Sequence, residues 1–134
     1  LLAEPDLVAV CAQRKERFPE ASPWNRLCDL EWDTPVGEAE ACGGDALYRR
    51  SALEAVGGFD PRLIAGEEPE LCFRLRRQGG RIRRLPGLIT WHDAAMTRFG
   101  QWWRRTKRSG HAAAEAWDLH GRGGQRAMVR IAAS

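Results

Sequence analysis

Three glycine pairs, Gly43-Gly44, Gly57-Gly58 and Gly79-Gly80, divide the middle of this chain into short elements, and what lies between them decides the fold class. Glycine leaves the backbone free to turn, so each pair stops the regular run before it. Asp6–Ala12 is a short β-branched apolar run that reads as a buried strand. The charged stretch 13–20 reads as its end and a loop. Ser22-Pro23 then predicts an N-cap and a proline at the first helical position. The helix expected over Trp24–Trp32 turns Trp24, Leu27, Cys28 and Glu31 to one side.

Alternation over Gly37–Cys42 predicts a half-buried strand, which Ala46–Tyr48 resumes. Ser51 is the expected cap of a short helix over Ala52–Val56, and Phe59-Asp60-Pro61 reads as a turn. A helix over Pro69–Gln78 points Leu71, Cys72 and Leu75 inward and spaces Glu70 and Arg74 as an i,i+4 pair. Two strands, 81–85 and 88–91, flank Pro86-Gly87. The last helix, from Phe99 to about Trp117, sets Phe99, Trp103, Thr106, Gly110, Ala113 and Trp117 on one stripe, expected to face the core. Strands interleaved with helices define an α/β chain with a mixed sheet flanked by helices. Residues 1–118 are expected to form the folded part, and 119–134 a flexible Gly/Arg-rich tail.

The 134 residues, 43% of them hydrophobic, suffice for one core. Six tryptophans exclude intrinsic disorder. No apolar stretch approaches the ~20 residues of a membrane span. A start at Leu1 without a signal-peptide pattern suggests a piece of a larger protein. The net charge of +3 conceals a split: residues 1–70 carry 15 Asp/Glu against 7 Lys/Arg, and residues 71–134 carry 3 against 14. That asymmetry predicts either an anionic partner for the second half or a solvated basic face. Cys11, Cys28, Cys42 and Cys72 lack the C-x-x-C spacing of zinc and redox sites and read as buried thiols of a reducing compartment.

The residues suited to chemistry lie between Ala41 and His92. Gly43-Gly44 permits close backbone approach to a ligand or a neighbouring strand. Glu67-Glu68-Pro69 places two carboxylates at a helix start, either as an acidic cap favoured by the helix dipole or at the rim of a cleft. In order, the chain shows Gly-Gly-x-Ala-x-x-Arg-Arg from Gly43, Val-Gly-Gly-Phe-Asp from Val56, Gly-Glu-Glu-x-Glu-Leu-x-x-Arg-Leu-Arg-x-x-Gly from Gly66, and His92. This succession resembles the C-terminal half of bacterial family 2 glycosyltransferases, over roughly residues 36–110.

The resemblance implies a GT-A fold, a Rossmann-like α/β/α sandwich, and inverting transfer of a sugar from a nucleotide-diphosphate donor to a glycan or lipid-linked hydroxyl. It gives Glu68 the role of general base beside Glu67, and makes Gly43, Gly44 and Asp45 substrate-binding. His92 becomes a ligand of the divalent metal, Mn²⁺ or Mg²⁺, with Asp93 as a group that could orient it. Gln101-Trp102-Trp103-Arg104-Arg105 matches in part the family's Gln-x-x-Arg-Trp signature, so Gln101, Trp102, Arg104 and Arg105 are expected at the substrate. The same cations suit an anionic membrane surface, which points to the cytoplasmic side of the plasma membrane. The family's Asp-x-Asp metal motif does not occur, and Asp29–Asp33 lies on an expected helix. The chain is therefore expected to be the acceptor-side half, inactive by itself. A non-catalytic module docking a basic face on membrane or glycan is the alternative. No nucleic-acid-binding signature accompanies the cations.

Overall fold

The computed structural model describes residues 3–133, with the side chains at 88–89 and 124–133 outside that description. The sheet has four strands: β1 (Leu7–Glu16), β2 (Gly37–Glu38), β3 (Ala46–Tyr48) and β4 (Arg81–His92), in the spatial order β2-β4-β1-β3. The two long strands, β1 and β4, run parallel at the centre, and the short β2 and β3 pair antiparallel at the edges. Helices α1 (Pro23–Trp32), α2 (Arg50–Ala55), α3 (Glu67–Arg77) and α4 (Phe99–Ala133) flank it. The chain is thus α/β with a mixed sheet, as its strand and helix alternation dictates.

Packing is built from small side chains. Ala9, Cys11, Cys72 and Ile82 form one buried cluster with Ala41 and Cys42, while Val8, Leu71 and Leu75 form a second. Gly80 is required by contact: a Cβ there would lie 2.7 Å from a Val8 methyl and 2.9 Å from the Leu75 carbonyl oxygen. Gly57-Gly58 and α3 are one unit, because Arg74 donates to the carbonyls of Val56 (2.5 Å) and Gly58 (2.7 Å) while paired with Glu70.

Several elements depart from the sequence reading. β1 continues to Glu16 because that buried carboxylate accepts the Phe18 (2.9 Å) and Ala94 (2.8 Å) amides and the Asn25 side chain (3.2 Å). β4 is one strand and not two. Its ladder to β1 passes from Ala12↔Leu85 to Gln13↔Leu88, leaving Pro86-Gly87 as a bulge, where a residue without an N–H is tolerated. The expected strand 37–42 stops at Glu38: Ala39 still donates to the Ile82 carbonyl of β4 (2.9 Å), but from Ala41 on side chains take the backbone groups. Ser22 caps α1 as expected, accepting the Asn25 amide at 3.0 Å. Ser51 does not cap α2, which starts at Arg50 with Arg49 as its N-cap. Glu67 and Glu68 lie inside the first turn of α3, behind a left-handed Gly66, and not ahead of it.

The largest reversal is the facing of α4. Its expected core stripe is outermost: Phe99 is 55% exposed, Trp103 51% and Trp117 44%. The buried side is Ala112 and Ala116, because small residues let α4 approach α3 closely. The helix also continues past Trp117, bending at Gly121, whose φ is 64°. On α1 the buried positions are Asn25 and Cys28, and Leu27 is exposed.

Part of the charge split folds back on itself. On β4, Arg81 and Arg83 bind Glu4 and Glu38, and Arg81 also reaches Asp6. Residues 81 and 83 share one face of the strand, while Ile82 and Arg84 share the other, which is buried. These two cations of the second half thus meet carboxylates of the first. Among the described residues, no helix is long and apolar enough to cross a membrane.

Candidate functional site

The centre of the site is the loop between β2 and β3. Gly43 and Gly44 both have left-handed φ (81° and 102°), a conformation that costs glycine little. The loop's polar groups are held by three charged side chains. Arg84, 7% exposed, donates to the carbonyls of Ala41 (3.0 Å) and Cys42 (3.4 Å). Arg14 donates to the Gly43 carbonyl and stacks over Trp32, 5.0 Å from the ring centroid. From the other side, Glu68 accepts the Cys42 N–H at Oε1 (2.9 Å) and the Gly43 N–H at Oε2 (3.0 Å). Oε1 also accepts from the Cys72 thiol (2.9 Å) and the Tyr48 hydroxyl (3.3 Å).

These groups tune one another. Burial, with Cys72 and Glu68 nearby, pushes the Tyr48 phenol up, so it stays a donor to the carboxylate. The thiols of Cys11 and Cys72, together with burial, push Cys42 up. Burial pulls the Arg14 guanidinium below its usual value, while Asp45 and Glu68 oppose that shift.

Glu67 and Glu68 open onto a cleft of about 860 Å³. Its walls are Gly43 and Gly44, the start of α3, Arg14 and Trp32, and on the far side Arg104, Arg105 and Arg108 of α4. Arg105 is fixed by Glu31 at 2.6 Å, and Arg108 donates to the Ile64 carbonyl at 2.9 Å. Of the residues expected from sequence, Glu67, Glu68, Gly43, Gly44, Arg104 and Arg105 therefore meet around one cavity.

The other expected residues lie beside it. His92 Nε2 is 3.3 Å from Asp45 Oδ2, and its ring packs on Trp32 at 5.3 Å. One imidazole nitrogen and one carboxylate oxygen, both on half-exposed side chains, fit a divalent cation that takes its remaining ligands from phosphate and water. Asp93 does not orient that imidazole; its carboxylate accepts the Ala95 amide at 2.9 Å. Gln101 is engaged at the start of α4, where it accepts the amides of Thr97 and Arg98, both at 2.9 Å, in the manner of a capping box. Trp102 stacks on Trp24 at 5.4 Å and anchors α4 to α1.

Sequence reasoning missed Arg14, Tyr48, Arg84 and the thiols of Cys42 and Cys72 as parts of the site. Arg84 was readable from strand alternation, since Arg81 and Arg83 occupy the opposite face. Arg14 carried no local signal, because its importance depends on β1 extending beyond Ala12.

No family model matches the chain. Over 66 residues, 49% of the chain, it is 38% identical to the probable glycosyltransferase YdaM of Bacillus subtilis, and the match covers 15% of that protein. Over 68 residues, 51% of the chain, it is 39% identical to the pre-mycofactocin glycosyltransferase of Mycobacterium tuberculosis, covering 14% of that one. About half of the chain is therefore similar to glycosyltransferases, in agreement with the resemblance carried by its motifs. The matched part spans about one-seventh of the length of these relatives.

Proposed function

We propose that the chain is the acceptor-side half of an inverting family 2 glycosyltransferase of GT-A type. It would work on a nucleotide-diphosphate sugar and the hydroxyl of a glycan or lipid-linked acceptor, at the cytoplasmic face of the plasma membrane. The observation that carries this reading is the unequal loading of the Glu68 carboxylate. An ionised carboxylate has about four acceptor positions. Among the described residues, Oε1 takes three donors and Oε2 takes one. Oε2 thus keeps capacity for the acceptor hydroxyl. It removes that proton as the hydroxyl oxygen bonds to the anomeric carbon and the bond to the diphosphate breaks on the opposite face.

Glu67 lies beside it on the cleft wall and suits a second hydroxyl of the acceptor. The left-handed Gly43-Gly44 backbone and Asp45 let substrate approach without a side-chain barrier. Arg104 and Arg105 face the same cavity and suit a leaving diphosphate. His92 and Asp45 would hold the divalent cation, Mn²⁺ or Mg²⁺, whose chemistry is to neutralise charge on the departing phosphates.

A second reading has one specific observation behind it. Phe99, Trp103 and Trp117 are exposed on α4, and Lys107 lies between them, so this helix could rest on an anionic membrane, with or without catalysis. Transfer assays with Glu68→Gln and Glu68→Asp separate the two. In the longer polypeptide, Glu68→Gln is expected to lower kcat about 10²–10⁴-fold at little change in donor KM, with Glu68→Asp recovering part of it. The 134-residue chain alone is expected to give no turnover. Unchanged transfer in Glu68→Gln would leave the membrane-docking module, and steady turnover by the isolated chain would remove the half-domain reading.

A further inference from the structure

The interior side of Glu68 faces thiols that the transfer chemistry does not use. Cys42 Sγ, Cys72 Sγ and a Glu68 carboxylate oxygen all lie within 4.8 Å of one another. Glu68 and Cys72 are one turn apart on α3, and Cys42 is brought to them by the glycine loop. Cys72 is fully buried and Cys42 nearly so, whereas Glu68 is half-buried and forms part of the cleft wall. The cleft therefore reaches the thiols through this carboxylate.

We propose that Cys42, Cys72 and Glu68 form a site for a thiophilic divalent cation of the zinc class, and that filling it silences the carboxylate. Two sulfurs and one oxygen select a borderline-soft ion over Mg²⁺ or Ca²⁺, which prefer oxygen. Tetrahedral zinc with sulfurs at ~2.3 Å holds them ~3.8 Å apart, so closure of the cluster by about 1 Å suffices. A water would complete the fourth position; of the three ligands, Glu68 is the one that lines the cleft. Each ligating thiol gives its proton to solvent. Surrounding groups support the ligands: Tyr48 donates to Glu68 Oε1, and Arg84 and Arg14 grip the carbonyls of Cys42 and Gly43, bringing positive charge beside the sulfurs.

Cys28 gives an internal control. It is equally buried but stands outside the cluster, on α1. The silencing rests on the reading of Glu68 as the base; the cation site itself does not.

The experiment titrates the 134-residue chain with Zn²⁺ against a chromophoric chelator, and with Co²⁺ as a spectroscopic substitute. Expected are one ion per chain, a thiolate-to-cobalt absorption band, and affinity weakened at least about 100-fold by Cys72→Ser, beyond what losing a supporting partner costs. Cys28→Ser should bind as the parent does. A parent chain without the cobalt–thiolate band overturns the site, and that measurement depends on no variant folding. Equal weakening by Cys28→Ser and Cys72→Ser overturns it as well. In the transferring polypeptide, Zn²⁺ should inhibit the parent, and the concentration that halves the rate, taken against each protein's own metal-free rate, should rise at least about 100-fold in Cys72→Ser; full activity with the ion bound overturns the silencing. A parent chain that binds no zinc, together with loss of transfer in Glu68→Gln, removes the site and leaves the proposed base standing.

Discussion

The glycine loop and α4 face each other across one cleft and are built on opposite principles. On the loop side, every charged group close to the backbone is committed: Arg84 and Arg14 to carbonyls, Glu68 to amides. On the α4 side, Phe99, Trp103 and Trp117 are exposed and Arg104 and Lys107 project to solvent. The loop wall is tied along its backbone by charged hydrogen bonds, whereas α4 is tied at Arg105 and Arg108 and otherwise offers exposed side chains. Under the proposed function, a shelf that positions the base has to hold still, whereas a wall for substrates of differing shape would gain from being loosely committed.

That contrast breaks most readily at Arg84. Arg84→Met removes the donor to the carbonyls of residues 35, 41 and 42 in a buried place, and should cost about 2–4 kcal/mol in urea unfolding. A loss below about 0.5 kcal/mol would mean that the shelf does not depend on charge. Next comes Glu70, buried at the back of α3. Burial works against its ionisation, but hydrogen bonds from Arg74 and His120 win and hold its carboxyl below the usual value of 4.5. A lowered folded-state value contributes stability that is present above pH 4.5 and lost as pH falls through that lowered value. Glu70→Gln should lower stability at pH 7 by about 1–2 kcal/mol and flatten its decline on acidification, read from unfolding midpoints between about pH 5 and 2. Trp103→Ser sharpens the other side of the comparison. Stability should change by less than about 0.5 kcal/mol, because the ring touches Phe99 and is half in solvent.

What could be read from sequence followed from local chemistry. The Ser22-Pro23 start of α1, the Glu70–Arg74 pair, the α/β alternation and the Glu67-Glu68 position beside a cleft depend on neighbours within a few residues. What could not be read depends on partners far along the chain. Arg14 matters because β4 carries β1 past Ala12, and residues 41–43 leave the sheet because Arg84 and Glu68 take their polar groups. The stripe on α4 failed for a related reason: amphipathic period identifies two faces, but Ala112 and Ala116 decided which one packed. Charge counts are blind to such partners in the same way, since Arg81 and Arg83 answer carboxylates in the first half.

The central pairing of β1 with β4 also has a consequence in time. Leu7 finds its partner at Arg81, and Glu16 finds His92. A ribosome adding about 5–20 residues per second makes β4 roughly 4–15 s after β1 has been made. Within that interval β3 is made before β4, and it can pair with the apolar Leu7–Cys11 segment on the side away from β4. Parallel pairing over such a separation is slow to form. The window in which this chain is most exposed to wrong partners is therefore set by the distance between its two longest strands and lasts until β4 is complete.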